Sequence, residues 1–263
     1  MTSELFDMRA RAIRRDRAFR TGPVLFVYER AFAELLDRLD DIRRSFASAL
    51  LAGSPDPEWP ARLAKFAGQV TVIDPGSLFA AAAGGNQRDE DRLDLKPQSF
   101  DLCLAVGTLD TVNDLPGALL RLRLLLKPDS LLIGAVPGGE TLPELRKAMR
   151  AADAVTCEAS PHVHPRIEAS ALAHLLSAAG FTMPVVDVDR VRVAYRDLRS
   201  LVRDLRGMGM TNMLKARSRS PLSRAALAAA EREFAQGSVD SRTVETLEIL
   251  HFAAWSPAAG SHG

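Results

Sequence analysis

"SFDLCLAVGTLDTVNDLPGALLRLRLLLKPDSLLIGAVPGG", residues 99–139, decides the architecture. Its first eleven residues (99–109) form a short apolar run that reads as a strand. "NDLPGALLRLRLLLKP" (113–128) then reads as a capped helix stopped by Pro128, and "SLLIGAVPGG" (130–139) as a second apolar strand. Apolar strands separated by a helix predict parallel neighbours covered by helices on both faces.

The same rhythm continues upstream. Residues 28–44 carry Phe32, Leu35, Leu36, Leu39 and Ile42 at helical spacing. "SFASALLAG" (45–53) predicts a buried first strand. In "DPEWPARLAKFAG" (56–68), Asp56 suits a cap, Pro57 the first helical position and Gly68 the end, so a helix is expected. "QVTVIDP" (69–75) predicts a second strand with an acid at its carboxyl end, and "SLFAAAAGG" (77–85) a short helix.

Downstream, "TLPELRKAMRAAD" (141–153) predicts a helix, with Thr141 and Glu144 at capping-box spacing. Beyond residue 155 come a Pro-bounded loop "SPHVHPR" (160–166), a helix ending at Gly180 and an alternating, half-exposed strand over 183–195. Two helices and a last strand "TVETLEILHFAAW" (243–255) follow. The expected organisation is an N-terminal helical segment (1–45) and one α/β domain (46–263), with a helical insertion at about 196–235.

The chain has 263 residues, 47% of them apolar, enough for a sizeable core. Its 34 basic and 33 acidic residues leave a net charge of +1, so no global field points to nucleic acid. The charge is uneven: "RARAIRRDRAFR" (9–20) and "KARSRSPLSR" (215–224) are basic. They read first as solvated faces, and second as docking surfaces for an acidic or membrane-proximal partner. Cys103 and Cys157 lack metal-ligand or disulfide-framework spacing, and Cys103 reads as a small buried hydrophobe. No metal site is expected. No run is long and apolar enough to span a bilayer, and the Arg-rich start lacks the apolar core of a secretory signal, so a reducing cytoplasm is expected.

"VNDLPGALLRLRLLLKPDSLLIGAVPGGETLPELR" (112–146) resembles the class I methyltransferase-like family of respiratory complex I assembly factors. That branch is related to methyltransferases that act on the malonyl-carrier protein of biotin synthesis. "LFDMRARAIRRDRA" (5–18), "LDDIRRSF" (39–46), "SPHVHP" (160–165), "VDVDRVRVAY" (186–195) and "DLRGMGMTN" (204–212) agree with it in order and spacing. The resemblance implies a Rossmann-like seven-stranded sheet, mostly parallel with an antiparallel last strand, that binds S-adenosylmethionine at the strands' carboxyl ends. Ligands of such sheets sit where the strand order reverses.

It also implies roles. Asp74 would take the ribose hydroxyls and Asp89 the adenine amino group, with Leu93 lining the adenine slot. Gly53 and Gly107 would lie against the cofactor. Gly138 and Gly139 would permit close approach of a substrate. His162 matches the family's histidine and would touch substrate; His164, two positions on in an extended loop, points the other way. Tyr195 and Arg146 are further candidates to face the pocket.

Two departures stand out. The family's acid-Leu-Gly-x-Gly-x-Gly is here Leu50-Leu51-Ala52-Gly53-Ser54-Pro55-Asp56. Side chains enter the space where cofactor meets backbone, and Pro55 and Pro57 remove N–H donors. Each lost charge-assisted bond would cost about 1.5–3 kcal/mol, roughly ten- to hundredfold in affinity. The family's His-Trp before Val-Asn-Asp-Leu-Pro is Asp110-Thr111, so Asp110 would serve as base or the pocket would do other chemistry. Two readings follow. One is a divergent S-adenosylmethionine-dependent methyltransferase with an unknown acceptor. The other is a non-catalytic or arginine-hydroxylase-like assembly factor that holds a respiratory complex subunit.

Overall fold

A computed structural model describes residues 4–157 and 159–260. Two helices lead the chain, α1 (Met8–Thr21) and α2 (Phe26–Ile42). The first half of the α/β unit is β1 (Phe46–Ala52), α3 (Trp59–Leu63), β2 (Ala67–Asp74), α4 (Ser77–Ala82), β3 (Asn86–Gln87) and β4 (Phe100–Val106). There follow α5 (Leu115–Leu125), β5 (Leu126–Pro137), α6 (Pro143–Thr156), α7 (Ala169–Ala178) and β6 (Thr182–Tyr195). The last elements are α8 (Leu198–Gly207), α9 (Arg224–Gln236), the two-residue β7 (Ser238–Val239) and β8 (Arg242–Trp255).

The sheet runs β3-β2-β1-β4-β5-β8-β6, with β7 folded back on β8. β1 pairs parallel with β2 and β4, and β4 with β5; β8 is antiparallel to both β5 and β6. The Rossmann-like sheet with its antiparallel last strand is therefore present. β3 is only two residues long.

Alternation along the central strands divides the core. Ala49, Leu51, Leu102, Leu104 and Val106 face one layer, with Phe32, Leu35 and Leu39 of α2 and helices α6, α8 and α9. Leu50, Ala52, Cys103 and Ala105 face the other, with Leu119 and Leu122 of α5 and Leu172 and Leu176 of α7. This two-sided burial is why these strands carry unbroken apolar runs. No helix among the described residues is long and apolar enough to cross a membrane.

Three local expectations change. The helix expected over 56–68 shrinks to Trp59–Leu63, because pairing of Phe46 with Ala67 already draws Gly68 into β2. Pro128 does not stop a helix: α5 ends at Leu125, and Pro128 lies in β5 beside the register shift between β4 and β5. A strand tolerates proline at such an irregularity. Thr141 does not cap α6 either. Its hydroxyl bonds Glu248 on β8, and the first N–H groups of α6 are taken by Glu245, 2.9 Å from Leu145 N. The orphan donors of a helix start are thus satisfied from a distant strand.

Candidate functional site

Asp74 ends β2, fully buried, at the carboxyl edge of the sheet. Its Oδ1 accepts from Arg15 Nε at 2.7 Å and from the Gly76 amide at 2.7 Å. Its Oδ2 accepts from Arg15 Nη2 at 2.5 Å and from the Ser54 amide at 3.0 Å. An ionised carboxylate offers about four lone-pair sites, and all four are used. Burial works against the Arg15 charge, but the facing carboxylate outweighs it and lifts the guanidinium above its ordinary value. Arg15 also lies 4.9 Å from the Phe79 ring centroid of α4.

Arg15 comes from α1, which crosses the carboxyl ends of the strands. One turn earlier, Arg11 lies on the same face and is 1% exposed. Its Nη1 donates to Asp89 at 2.9 Å, and its Nη2 to buried Glu90 and to the Thr108 carbonyl, each at 2.7 Å. Its Nε reaches Thr111 Oγ1 at 3.0 Å. Glu90, absent from the expected site residues, is as central as Asp89.

α1 is fixed at its start. Asp7 caps it by accepting from Ala10 N, and Arg217 pairs with the same carboxylate at 3.0 Å. Phe6 packs with Met213 and Leu214. The "RARAIRRDRAFR" segment is therefore not a uniformly solvated face, since two of its arginines are among the buried charges of the molecule.

The expected ligand-approach glycines are approached by the chain itself. Gly107, φ +65°, lies against Tyr28: a β-carbon there would sit 2.3 Å from Tyr28 Cε1. Gly53, φ +85°, would meet the Val106 carbonyl at 2.4 Å. Gly138 faces Glu248 and Gly139 faces Glu168 at similarly short range. Tyr28 donates to the Met208 carbonyl at 2.8 Å, and burial pushes its phenol up to about 12. Between Arg11, Arg15, Tyr28, Gly107 and Asp110 the remaining cavity is about 10 Å³. Small-molecule pockets hold about 300–1,000 Å³, so with α1 docked these residues enclose far less space than such a pocket.

The other candidates are distributed around this centre. Asp110 pairs closely with Arg166, both nearly buried. His162 meets Asp153 at 2.7 Å. Leu93 is buried in the sheet layer that holds α5. Arg146 reaches the carbonyls of Thr141 and His164 at 3.4 Å, and Tyr195 closes β6 in the opposite layer. Among the described residues no cluster is arranged to hold a metal.

His164 stands closer to the centre than His162. It is 3% exposed, lines the same small cavity and meets Phe6 edge-on. The Met213 amide donates to its Nε2 at 3.0 Å, which requires an unprotonated nitrogen. Burial, aided by Arg166, pushes this imidazole down to about 3. The unfolded chain binds a proton below about pH 6.5 that the folded one refuses. Stability should therefore fall by about 2 kcal/mol between pH 7 and pH 5. Urea unfolding of the protein and of His164→Gln at both pH values measures this; equal pH slopes would mean that His164 is charged in the fold.

Residues 26–185 match the methyltransferase-domain family. The chain is 34% identical over 243 residues to "Arginine-hydroxylase NDUFAF5, mitochondrial" of Danio rerio, covering 88% of this chain and 75% of that one. It is 32% identical over 182 residues to the "Malonyl-[acyl-carrier protein] O-methyltransferase" of Laribacter hongkongensis, covering 69% of this chain and 60% of that protein. The YcgJ protein of Bacillus subtilis shares the fold, with a TM-score of 0.58 at 10% identity over 84% of this chain and 97% of that one. Sheet order, a carboxylate ending the second strand and these matches lead to one assignment: the chain belongs to the class I S-adenosylmethionine-dependent methyltransferase family.

Proposed function

We propose that this chain works as an assembly-factor member of its family. It holds a protein client, a respiratory complex subunit being the kind its resemblance implies, and binds no S-adenosylmethionine while α1 is docked. The observation that carries this reading is the saturated Asp74 carboxylate: Arg15, Ser54 and Gly76 take its acceptor sites, leaving none for ribose hydroxyls. The rebuilt loop after β1 supports it, because the Ser54 amide turns inward to Asp74.

A second reading is favoured by the position of Asp74 at the end of β2. In it, α1 lifts and the carboxylates take up cofactor for methyl transfer to an unknown acceptor. Calorimetric titration with S-adenosylmethionine and S-adenosylhomocysteine separates the two. The expected result is no heat and no thermal shift at millimolar ligand. Micromolar binding that Asp74→Ala abolishes would overturn the proposal and install the enzyme. Affinity capture of the client, repeated with Arg11 and Arg15 intact and substituted, tests the other half.

A further inference from the structure

Beside the closed centre lies a large, open cleft that His162, His164 and Arg166 also line. Its inner part, about 730 Å³, is walled by Leu145 and Met149 of α6, Leu198 and Val202 of α8, and Leu227 of α9. It opens past Val202, Arg206, Thr211 and Asn212 into a mouth of about 440 Å³. The mouth is lined by Arg14, Arg17, Arg206, Arg217 and Arg219, with no carboxylate among its lining residues.

The charges in the mouth are poorly compensated. Arg217 pairs with Asp7, but Arg14, Arg17, Arg206 and Arg219 make no ion pair among the described residues. Arg14 Nε donates to the Asn212 carbonyl at 2.8 Å, and Arg17 Nη2 to Thr211 Oγ1 at 2.9 Å. Arg17 Nε is buried with no hydrogen-bond partner among the described residues. Asp7 is the acid that faces this set: it pairs with Arg217 and lies within electrostatic reach of Arg14 and Arg219, while Asp16 is taken up at the start of α4 by Leu78 N. Burial and neighbouring guanidinium groups hold Arg14 and Arg17 below their ordinary values. A buried donor without a partner and a set of crowded like charges are both costly. Forked guanidinium donors match phosphate and carboxylate oxygens in pairs.

We propose that this cleft binds an amphipathic organic anion. Its phosphate or carboxylate head is held by Arg17, Arg206 and Arg219, and its apolar tail lies between α6, α8 and α9. The volume suits a ligand of this class; the inner part carries apolar walls from three helices, with Arg166, Arg199 and Arg203 also on its lining, and it meets the basic mouth at Val202 and Arg206. The site goes beyond the assembly-factor reading and does not depend on it. It does depend on α1, which presents Arg14 and Arg17 to the mouth while Arg11 and Arg15 close the carboxylates.

Decyl phosphate below its micellar concentration is the probe, followed by calorimetry on the full chain. Inorganic phosphate and decanol test head and tail separately, and decanoate tests the carboxylate head. Decyl phosphate or decanoate should bind at least tenfold more tightly than either inorganic phosphate or decanol, and more weakly as salt rises. Arg206→Glu with Arg219→Glu should weaken decyl phosphate at least tenfold. Both positions are exposed and unpaired, so the thermal midpoint should hold. Val202→Asn, at the junction, makes the wall polar without adding charge and should weaken decyl phosphate but leave inorganic phosphate unchanged. Decyl phosphate affinity equal to that of decanol, or unmoved by the charge reversals, would overturn the proposal. So would binding to anionic lipid vesicles without binding to the free amphiphile, which would describe a membrane-facing surface.

Discussion

Replacing Arg15 by alanine should lower the unfolding free energy by about 3–5 kcal/mol. The substitution leaves Asp74 charged and fully buried with only two backbone amides to hold it. A buried charge that loses its partner costs far more than an intact pair contributes. Urea unfolding of Arg15→Ala, Asp74→Ala and the double variant forms a cycle. The double variant should be less destabilised than the sum of the single ones, because it removes both charges together. A loss below about 1 kcal/mol for Arg15→Ala, the range of exposed ion pairs, would mean that the arginine does not reach the carboxylate. The variant also has a ligand readout. If S-adenosylmethionine binds Arg15→Ala and not the unaltered protein, α1 is a competitor for the cofactor's place.

The second large effect concerns the loop after β1. Trp59→Ala should cost about 3–5 kcal/mol. Trp59 is fully buried and stacks on Phe32 of α2, with ring centroids 4.1 Å apart and planes 3° from parallel. Its indole N–H donates to Glu29, which also accepts from Arg62 at 2.7 Å. Trp59→Phe keeps the stack and leaves Glu29 to Arg62 alone, so it should cost about 0.5–1.5 kcal/mol, the net worth of one hydrogen bond. Equal losses for the two variants would place the energy in the hydrogen bond rather than in packing. The loop is held by its own packing and hydrogen bonds. Trp59 anchors it in the α2 layer.

How much of this could be read from residues alone follows from the range of the interactions. Strand–helix alternation is local, and it predicted the parallel part of the sheet; the antiparallel last strand followed only from the family resemblance. The position of Asp74 at a strand end was equally local. Its partner was not. Arg11 and Arg15 at i, i+4 do announce one helical face, and Ala18 continues it. That this face turns inward depends on carboxylates 59 to 79 residues away, which no periodicity reports. A basic run has the composition of a solvated surface, and only the acids it meets make burial affordable. Likewise, Thr141 and Glu144 have the spacing of a local cap, but Glu248 and Glu245 of β8 compete for the same groups and win. His162 and His164 differ in the same way, since only the fold brings the Met213 amide to His164.

The guanidinium on Asp74 is tethered, and tethering changes how any rival for that carboxylate must be judged. A group carried on the same chain acts at an effective concentration in the millimolar range or above. A free nucleoside must therefore out-compete a resident that never diffuses away, and diluting the protein gives it no advantage. An apparent affinity for such a rival would report the difference between two occupants of one carboxylate. Whatever loosens the first twenty residues, a client pulling on them or an anion rearranging the neighbouring arginines, would shift that difference without touching Asp74.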